Sequence, residues 1–139
     1  MAARLPRRDP RAHKGSAGRV LVIGGSAGLS GAVALTARAA SRGGAGYVQV
    51  CVPQSLQAVM TIKLTEQMPV ACPERSGHAL APAAYSAIAA LAERADAVAI
   101  GPGLSRDPGA FELARRIVAE LPKPLVIDAD AITALAGEF

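Results

Sequence analysis

Three short stretches of this sequence carry residue types and spacings that could do chemistry. The first is Gly24-Gly25-Ser26-Ala27-Gly28-Leu29-Ser30-Gly31. Small residues let a ligand approach the backbone closely, and the alanine-rich segment behind them offers a helix N-terminus that favours anionic groups. The second is Gly101-Pro102-Gly103-Leu104. Its glycines can bring backbone amides near a ligand, while the proline stiffens the loop between them. The third is Asp128-Ala129-Asp130-Ala131. Two alternating carboxylates can hold a magnesium ion through water, or hydrogen-bond a sugar or an activated hydroxyl. The plainer alternative is one helix-capping Asp and one solvated Asp.

Neither glycine loop fits the common nucleotide signatures. A dinucleotide fingerprint needs G-x-G-x-x-G and, about 20 residues further on, a carboxylate for the ribose. Here the glycines occupy positions 24, 25, 28 and 31, and the second apolar run ends in Val52-Pro53-Gln54. No Lys-Ser or Lys-Thr pair follows the glycines, so a Walker-type loop fails as well. Two readings stay open for the opening loop: a ligand-approach loop, or a tight strand-to-helix turn that binds nothing.

The elements that must position these stretches are four apolar runs, Arg19–Gly24, Tyr47–Val52, Asp96–Ile100 and Pro124–Asp128. The first, third and fourth are near-continuous, the mark of strands buried on both faces of a parallel sheet. Helices are predicted over Ser30–Arg42, with Ser30 as its cap, over Pro82–Arg94, and over Pro108–Leu121, with Asp107 as its N-cap. Ser55–Lys63 reads as a helix, Leu64–Cys72 as an irregular strand, and Ala131–Ala136 as a short closing helix. Alternating strands and helices predict right-handed crossovers and a doubly wound α/β sandwich. Ligands of such sheets sit outside the carboxyl ends of the strands. That rule selects the loops Gly24–Gly31, Gly101–Asp107 and Asp128–Ile132. With no internal repeat and no obvious linker, the expectation is a single domain over residues 1–139, with residues 1–12 a flexible leader.

Composition narrows the partners. The formal charge is +4, but Arg4, Arg7, Arg8, Arg11, Lys14 and Arg19 crowd the first strand and the residues before it. No aromatic residue is interleaved with them to stack a base, so the cluster reads as a solvated leader rather than a nucleic-acid arm. No segment approaches the roughly 20 continuous apolar residues that span a bilayer, and no apolar stretch follows the basic leader as in a secretory signal. Cys51 and Cys72 lack CxxC spacing; Cys72 reads as part of a proline-flanked loop. Plain packing in a reducing cytoplasm is expected of both, and His13 and His78 read as isolated residues.

Taken in order, the stretches His13–Ala32 (HKGSAGRVLVIGGSAGLSGA), Ala37–Pro53, Ala99–Leu104 (AIGPGL) and Pro124–Ile132 (PLVIDADAI) resemble the ADP/ATP-dependent NAD(P)H-hydrate dehydratases of the ribokinase-like superfamily. The pair Glu66-x-Met68 resembles a further short pattern of that family. The likeness runs from His13 onward. It implies a ribokinase-like three-layer α/β sandwich with a mainly parallel sheet, truncated at the C-terminus. It also implies a carbon–oxygen lyase of metabolite repair, in which ADP or ATP with Mg2+ phosphorylates the hydroxyl of NADHX or NADPHX. Loss of that phosphate then restores NADH or NADPH. By the same resemblance Gly31, Ala32 and Gly103 contact the hydrated dinucleotide, Asp128 and Asp130 belong to its strand-tip motif, and the full-length protein is a homo-oligomer.

This sequence departs from the family at Ser105 and Thr133, where many members have Gly and Asn. It also lacks the family's later HPGE motif, its lysine-containing nucleotide segment and its GTGD anion hole. The Pro124–Asp128 run has no obvious further strand to cover it. A small, complete four-stranded domain is one reading of this. An N-terminal fragment, inactive alone and holding part of the hydrate site without a nucleotide site or catalytic base, is the other. Two alternatives to the dehydratase remain: a ribokinase-like kinase acting on a vitamin precursor, and a non-catalytic dinucleotide-binding module.

Overall fold

The computed structural model describes residue 11 and residues 14–136. Apart from Arg11, the leader expected over residues 1–12 lies outside these residues, as does His13. Five strands form one parallel sheet: β1 (Arg19–Ile23), β2 (Tyr47–Pro53), β3 (Met68–Cys72), β4 (Ala97–Ile100) and β5 (Leu125–Ile127). Their spatial order is β3-β2-β1-β4-β5. Five α-helices accompany them: α1 (Ser30–Arg42), α2 (Gln57–Lys63), α3 (Tyr85–Ala92), α4 (Pro108–Glu120) and α5 (Asp130–Leu135).

Strand alternation sorts the apolar residues into two cores. On one face, Leu21, Ile23, Cys51, Val98 and Ile100 pack with residues of α3, α4 and α5. On the other, Val22, Val48, Val50 and Val52 meet Val33, Ala34 and Ala37 of α1 and Met60 of α2. Two helical layers around one sheet give the expected three-layer α/β sandwich. The helices fit these faces by their spacing. α4 buries Ala110, Leu113, Ala114 and Ile117, one stripe at helical periodicity. With almost no aromatic residues, small side chains do the filling, so helices and sheet can approach closely.

Several boundaries differ from expectation, and one strand is more regular than expected. Leu64–Cys72 contains a regular parallel strand, β3, and the sheet has five strands rather than four. Cys72 therefore ends a strand rather than sitting in a loop. Its Pro69 is tolerated because β3 is an edge strand, pairing on one side only. Pro82–Ala84 is a 3-10 turn leading into α3. Ser30 does not cap α1. A turn closed by Leu29 N–H on the Ser26 carbonyl at 3.0 Å makes Leu29 the N-cap, with no side-chain cap bond, and Ser30 becomes the first helical residue. Asp107 does cap α4: its Oδ1 accepts the amides of Gly109 at 2.8 Å and Ala110 at 3.2 Å.

Coverage of the sheet is uneven. Beside β1, β2 and β3 the second face is roofed by α1 and α2, but Val126 of β5 is 63% exposed on that side. Leu113→Ala, which empties a fully buried position, should cost about 2–5 kcal/mol. Val126→Ala should change stability by no more than about 0.5 kcal/mol. Urea midpoints at constant m-value check both.

Candidate functional site

The strand order reverses between β1 and β4. Helix α1 leaves β1 toward one face of the sheet and α4 leaves β4 toward the other, so the loops after these two strands diverge from a shared crevice. In open α/β sheets that is where ligands bind. Here the two loops are sewn together. Gly25 N–H donates to the Pro102 carbonyl at 3.0 Å, and the buried Ser26 hydroxyl donates to the Gly103 carbonyl at 2.9 Å. Gly24 is required by this approach, since a Cβ there would collide with the Pro102 carbonyl oxygen. Gly103 is buried with φ of 64°, and a Cβ on it would strike the Leu29 carbonyl. Its glycine thus serves loop-to-loop packing in the protein itself. Gly31 and Ala32, by contrast, lie exposed in the first turn of α1.

The strand-tip carboxylates complete one side of the crevice. Asp128 is exposed, while its backbone continues the sheet by donating to the Ile100 carbonyl at 3.0 Å. Asp130 Oδ2 accepts the Ser105 amide at 3.0 Å, fastening the GPGL loop to the β5 tip. Between the two acids Ala129 has φ of 47° and ψ of −120°, a strained conformation for a residue with a Cβ. The third, acidic stretch is therefore joined to the second as directly as the second is to the first.

A fourth wall stands beside the three loops that the strand-end rule selects. The segment between β3 and the Pro82 turn folds back so that His78 O accepts the Ala27 amide at 3.2 Å. Within it, Glu74 Oε2 accepts the Ser55 amide at 2.9 Å and the Ser55 hydroxyl at 2.7 Å, and Glu74 Oε1 lies 3.5 Å from His78 Nδ1. Arg75 pairs with Asp107 at 3.0 Å. His78 is thus not isolated. Sequence offered one local clue to this wall, the i, i+4 spacing of Glu74 and His78; the partnership with Ser55 has none.

Other expectations separate from the site. Glu66 precedes β3 at the amino end of the sheet, lining a small cleft with Arg38, Thr65 and Gln67, opposite the loops described above. The two cysteines are free and buried on neighbouring strands. A hydrogen bond to Cys72, together with burial, pushes the Cys51 thiol well up, which keeps it protonated and unreactive. Among the described residues no group of three or more His, Cys, Asp or Glu could hold a metal ion. Asp128 and Asp130 alone do not make a metal cage. Nor is any helix among those residues long and apolar enough to cross a membrane.

A family model described as NAD(P)H-hydrate dehydratase (Carb_kinase) matches residues 20–138, a span that includes all three glycine and aspartate loops. The chain belongs to the NAD(P)H-hydrate dehydratase family. It is similar to the bifunctional NAD(P)H-hydrate repair enzyme Nnr of Moorella thermoacetica, 44% identical over 136 residues, 98% of this chain and 26% of that protein. The Nnr of Salinibacter ruber is 43% identical, with 96% of this chain and 25% of that protein covered. Among solved structures, a ribokinase-like superfamily protein from Enterococcus faecalis superposes with a TM-score of 0.78 at 27% identity, covering 97% of this chain and 45% of that one. The ADP/ATP-dependent NAD(P)H-hydrate dehydratase of Bacillus subtilis, co-crystallised with ATP/Mg2+, gives 0.71 at 27% identity, covering 93% and 43%. These likenesses bear out the ribokinase-like fold. The chain spans about a quarter of the length of the Nnr relatives.

The sewn junction and the fourth wall each make a prediction. Ser26→Ala leaves the buried Gly103 carbonyl without its hydroxyl partner and should cost about 1–3 kcal/mol in denaturant unfolding. The amide and hydroxyl of Ser55, and then His78, hold the Glu74 carboxyl below its usual range. A depressed carboxylate favours the folded loop above the unfolded pKa, and the benefit is lost as pH falls through the depressed value. Ser55→Ala should move the Glu74 titration back up toward the ordinary carboxylate range, as read by NMR of its side-chain carboxyl carbon.

Proposed function

We propose that this chain forms the substrate-side part of a nucleotide-dependent dehydratase that returns NADHX and NADPHX to NADH and NADPH. The observation that carries this reading is the sewn junction at the strand-order reversal, in a chain that matches the family across both loops. It presents the first turn of α1 beside the GPGL loop and the β5 tip. In this reading the amides of that turn, which have no side-chain cap, meet anionic groups of the dinucleotide at Gly31 and Ala32. Gly103 holds the two loops at the spacing the substrate needs. Asp128 faces the hydrated ring, and Asp130 keeps the GPGL loop against the strand tip through Ser105.

The phosphoryl donor, ADP or ATP with Mg2+, supplies the group that turns the substrate hydroxyl into a leaving phosphate. The similar Bacillus subtilis dehydratase, ADP/ATP-dependent and co-crystallised with ATP/Mg2+, supports that donor. We assign the nucleotide site and the catalytic base to sequence of the HPGE and GTGD kind, which these 139 residues do not contain. The chain by itself is then a binding half without turnover. Its two free, buried thiols suit a reducing compartment, and we place it in the cytoplasm.

An NMR titration of the labelled chain with NADPHX tests the binding half. The amides of Gly31, Ala32 and Gly103 should shift, and those of the Glu66 cleft should not. Saturating NADPHX with no shift at the three loops would overturn the reading. Nucleotide-dependent recovery of reduced-nicotinamide absorbance by the 139-residue chain alone would overturn its assigned inactivity.

A further inference from the structure

His78 stands on the rim of the opening loop with its backbone fixed from both sides. Its φ is 54°, its N–H donates to the Arg75 carbonyl at 2.9 Å, and its carbonyl accepts the Ala27 amide. A left-handed conformation is unfavourable for a residue with a Cβ, so the surrounding bonds hold this one in place. The imidazole is 55% exposed and turns Nδ1 toward Glu74, 3.5 Å away. Glu74 is itself fixed by the two hydrogen bonds from Ser55. A carboxylate beside one ring nitrogen fixes the ring's orientation and accepts from Nδ1–H, so that in the imidazolium form Nε2 carries the second proton and can donate to an anion.

The charges around His78 are few. Glu74 and Arg75 share its segment, and Arg75 is engaged by Asp107 at the start of α4. The opening loop Gly24–Ala32 and the Gln54–Leu56 turn carry no charged residue. The rim is thus divided: an orientable imidazole beside the β1 and β3 ends, two carboxylates at the β5 end.

We propose that His78 is a substrate contact, its Nε2–H donating to a phosphate oxygen of the dinucleotide's pyrophosphate, with Glu74 as the positioning residue. This deepens the dehydratase reading and rests on it. It also sets the direction of the substrate. The phosphate bridge lies toward β3 and the hydrated ring toward Asp128, since a polyanion is repelled from the acidic end of the rim.

The test follows the His78 ring by NMR while the 139-residue chain is titrated separately with NADPHX, ADP and inorganic pyrophosphate. Kd for NADPHX is measured in parallel for the unaltered chain, His78→Asn and Glu74→Gln. Asparagine tolerates positive φ, so the loop is kept. NADPHX should shift the ring, and His78→Asn should weaken binding about tenfold. Glu74→Gln should change the tautomer signature of the His78 ring nitrogens and weaken NADPHX binding less than His78→Asn does. Binding of NADPHX with the ring unmoved, or with unchanged affinity in His78→Asn, overturns the contact while the dehydratase reading stands. A ring shift with ADP alone would assign the contact to the donor and overturn it equally. If pyrophosphate moves the ring but NADPHX does not bind, the dehydratase reading fails and the anion contact survives. If neither ligand registers, both fall.

Discussion

Two hydrogen bonds at the point of strand-order reversal govern the rest of this molecule. The loops after β1 and β4 lead to helices on opposite faces and would otherwise splay apart. Gly25 and Ser26 tie the first loop to Pro102 and Gly103 of the second, and the bare Cα of Gly24 permits the approach. The start of α1 is fixed by the same turn, because Leu29 closes on Ser26. The GPGL loop is then fastened on its far side by Asp130. The first turn of α1, the glycine loop and the acidic tip consequently keep one mutual geometry. Altering any link shifts a wall of the crevice rather than a single contact.

The crevice is polarised by what flanks that junction. Toward β3 a serine fixes a carboxylate, which orients an imidazole. Toward β5 two carboxylates project from a strained turn. Between them lie uncharged small residues and backbone amides. A ligand carrying phosphates at one end and a neutral or electron-poor ring at the other matches this gradient, whereas a uniformly anionic polymer does not.

Much of this arrangement was legible in the sequence where local physics decides it. Asp107 before Pro108 reads as a cap because the side chain, the proline and the helix start are contiguous. The run Tyr47–Val52 and the runs of β1 and β4 read as strands because the sheet buries them, whereas the Pro124–Asp128 run, expected to be buried on both faces, forms a strand covered on one face only. Position along the fold, by contrast, escaped. β3 was blurred by Pro69, harmless only because the strand lies at the edge. Ser30 reads as a cap, but the turn closed by Leu29 on Ser26 sets the cap at Leu29, one residue earlier. His78 seemed isolated because Ser55, the anchor of its partner Glu74, lies 23 positions upstream and reaches it only through the packing of β2 against β3. Gly103, expected as a ligand-approach glycine, has a sufficient reason in the neighbouring Leu29 backbone.

The half-roofed sheet gives the two ends of the crevice different local stabilities. Amides of β1 and β2 are sandwiched between two helical layers, and their opening requires nearly global unfolding. Among the described residues β5 pairs with β4 alone and meets an apolar layer on a single face, so in the 139-residue chain its amides exchange with solvent through smaller fluctuations. In the 139-residue chain the acidic end of the crevice is therefore the compliant end, and the end beside β1 the rigid template. A ligand seated first against the template would meet a wall still able to adjust around it.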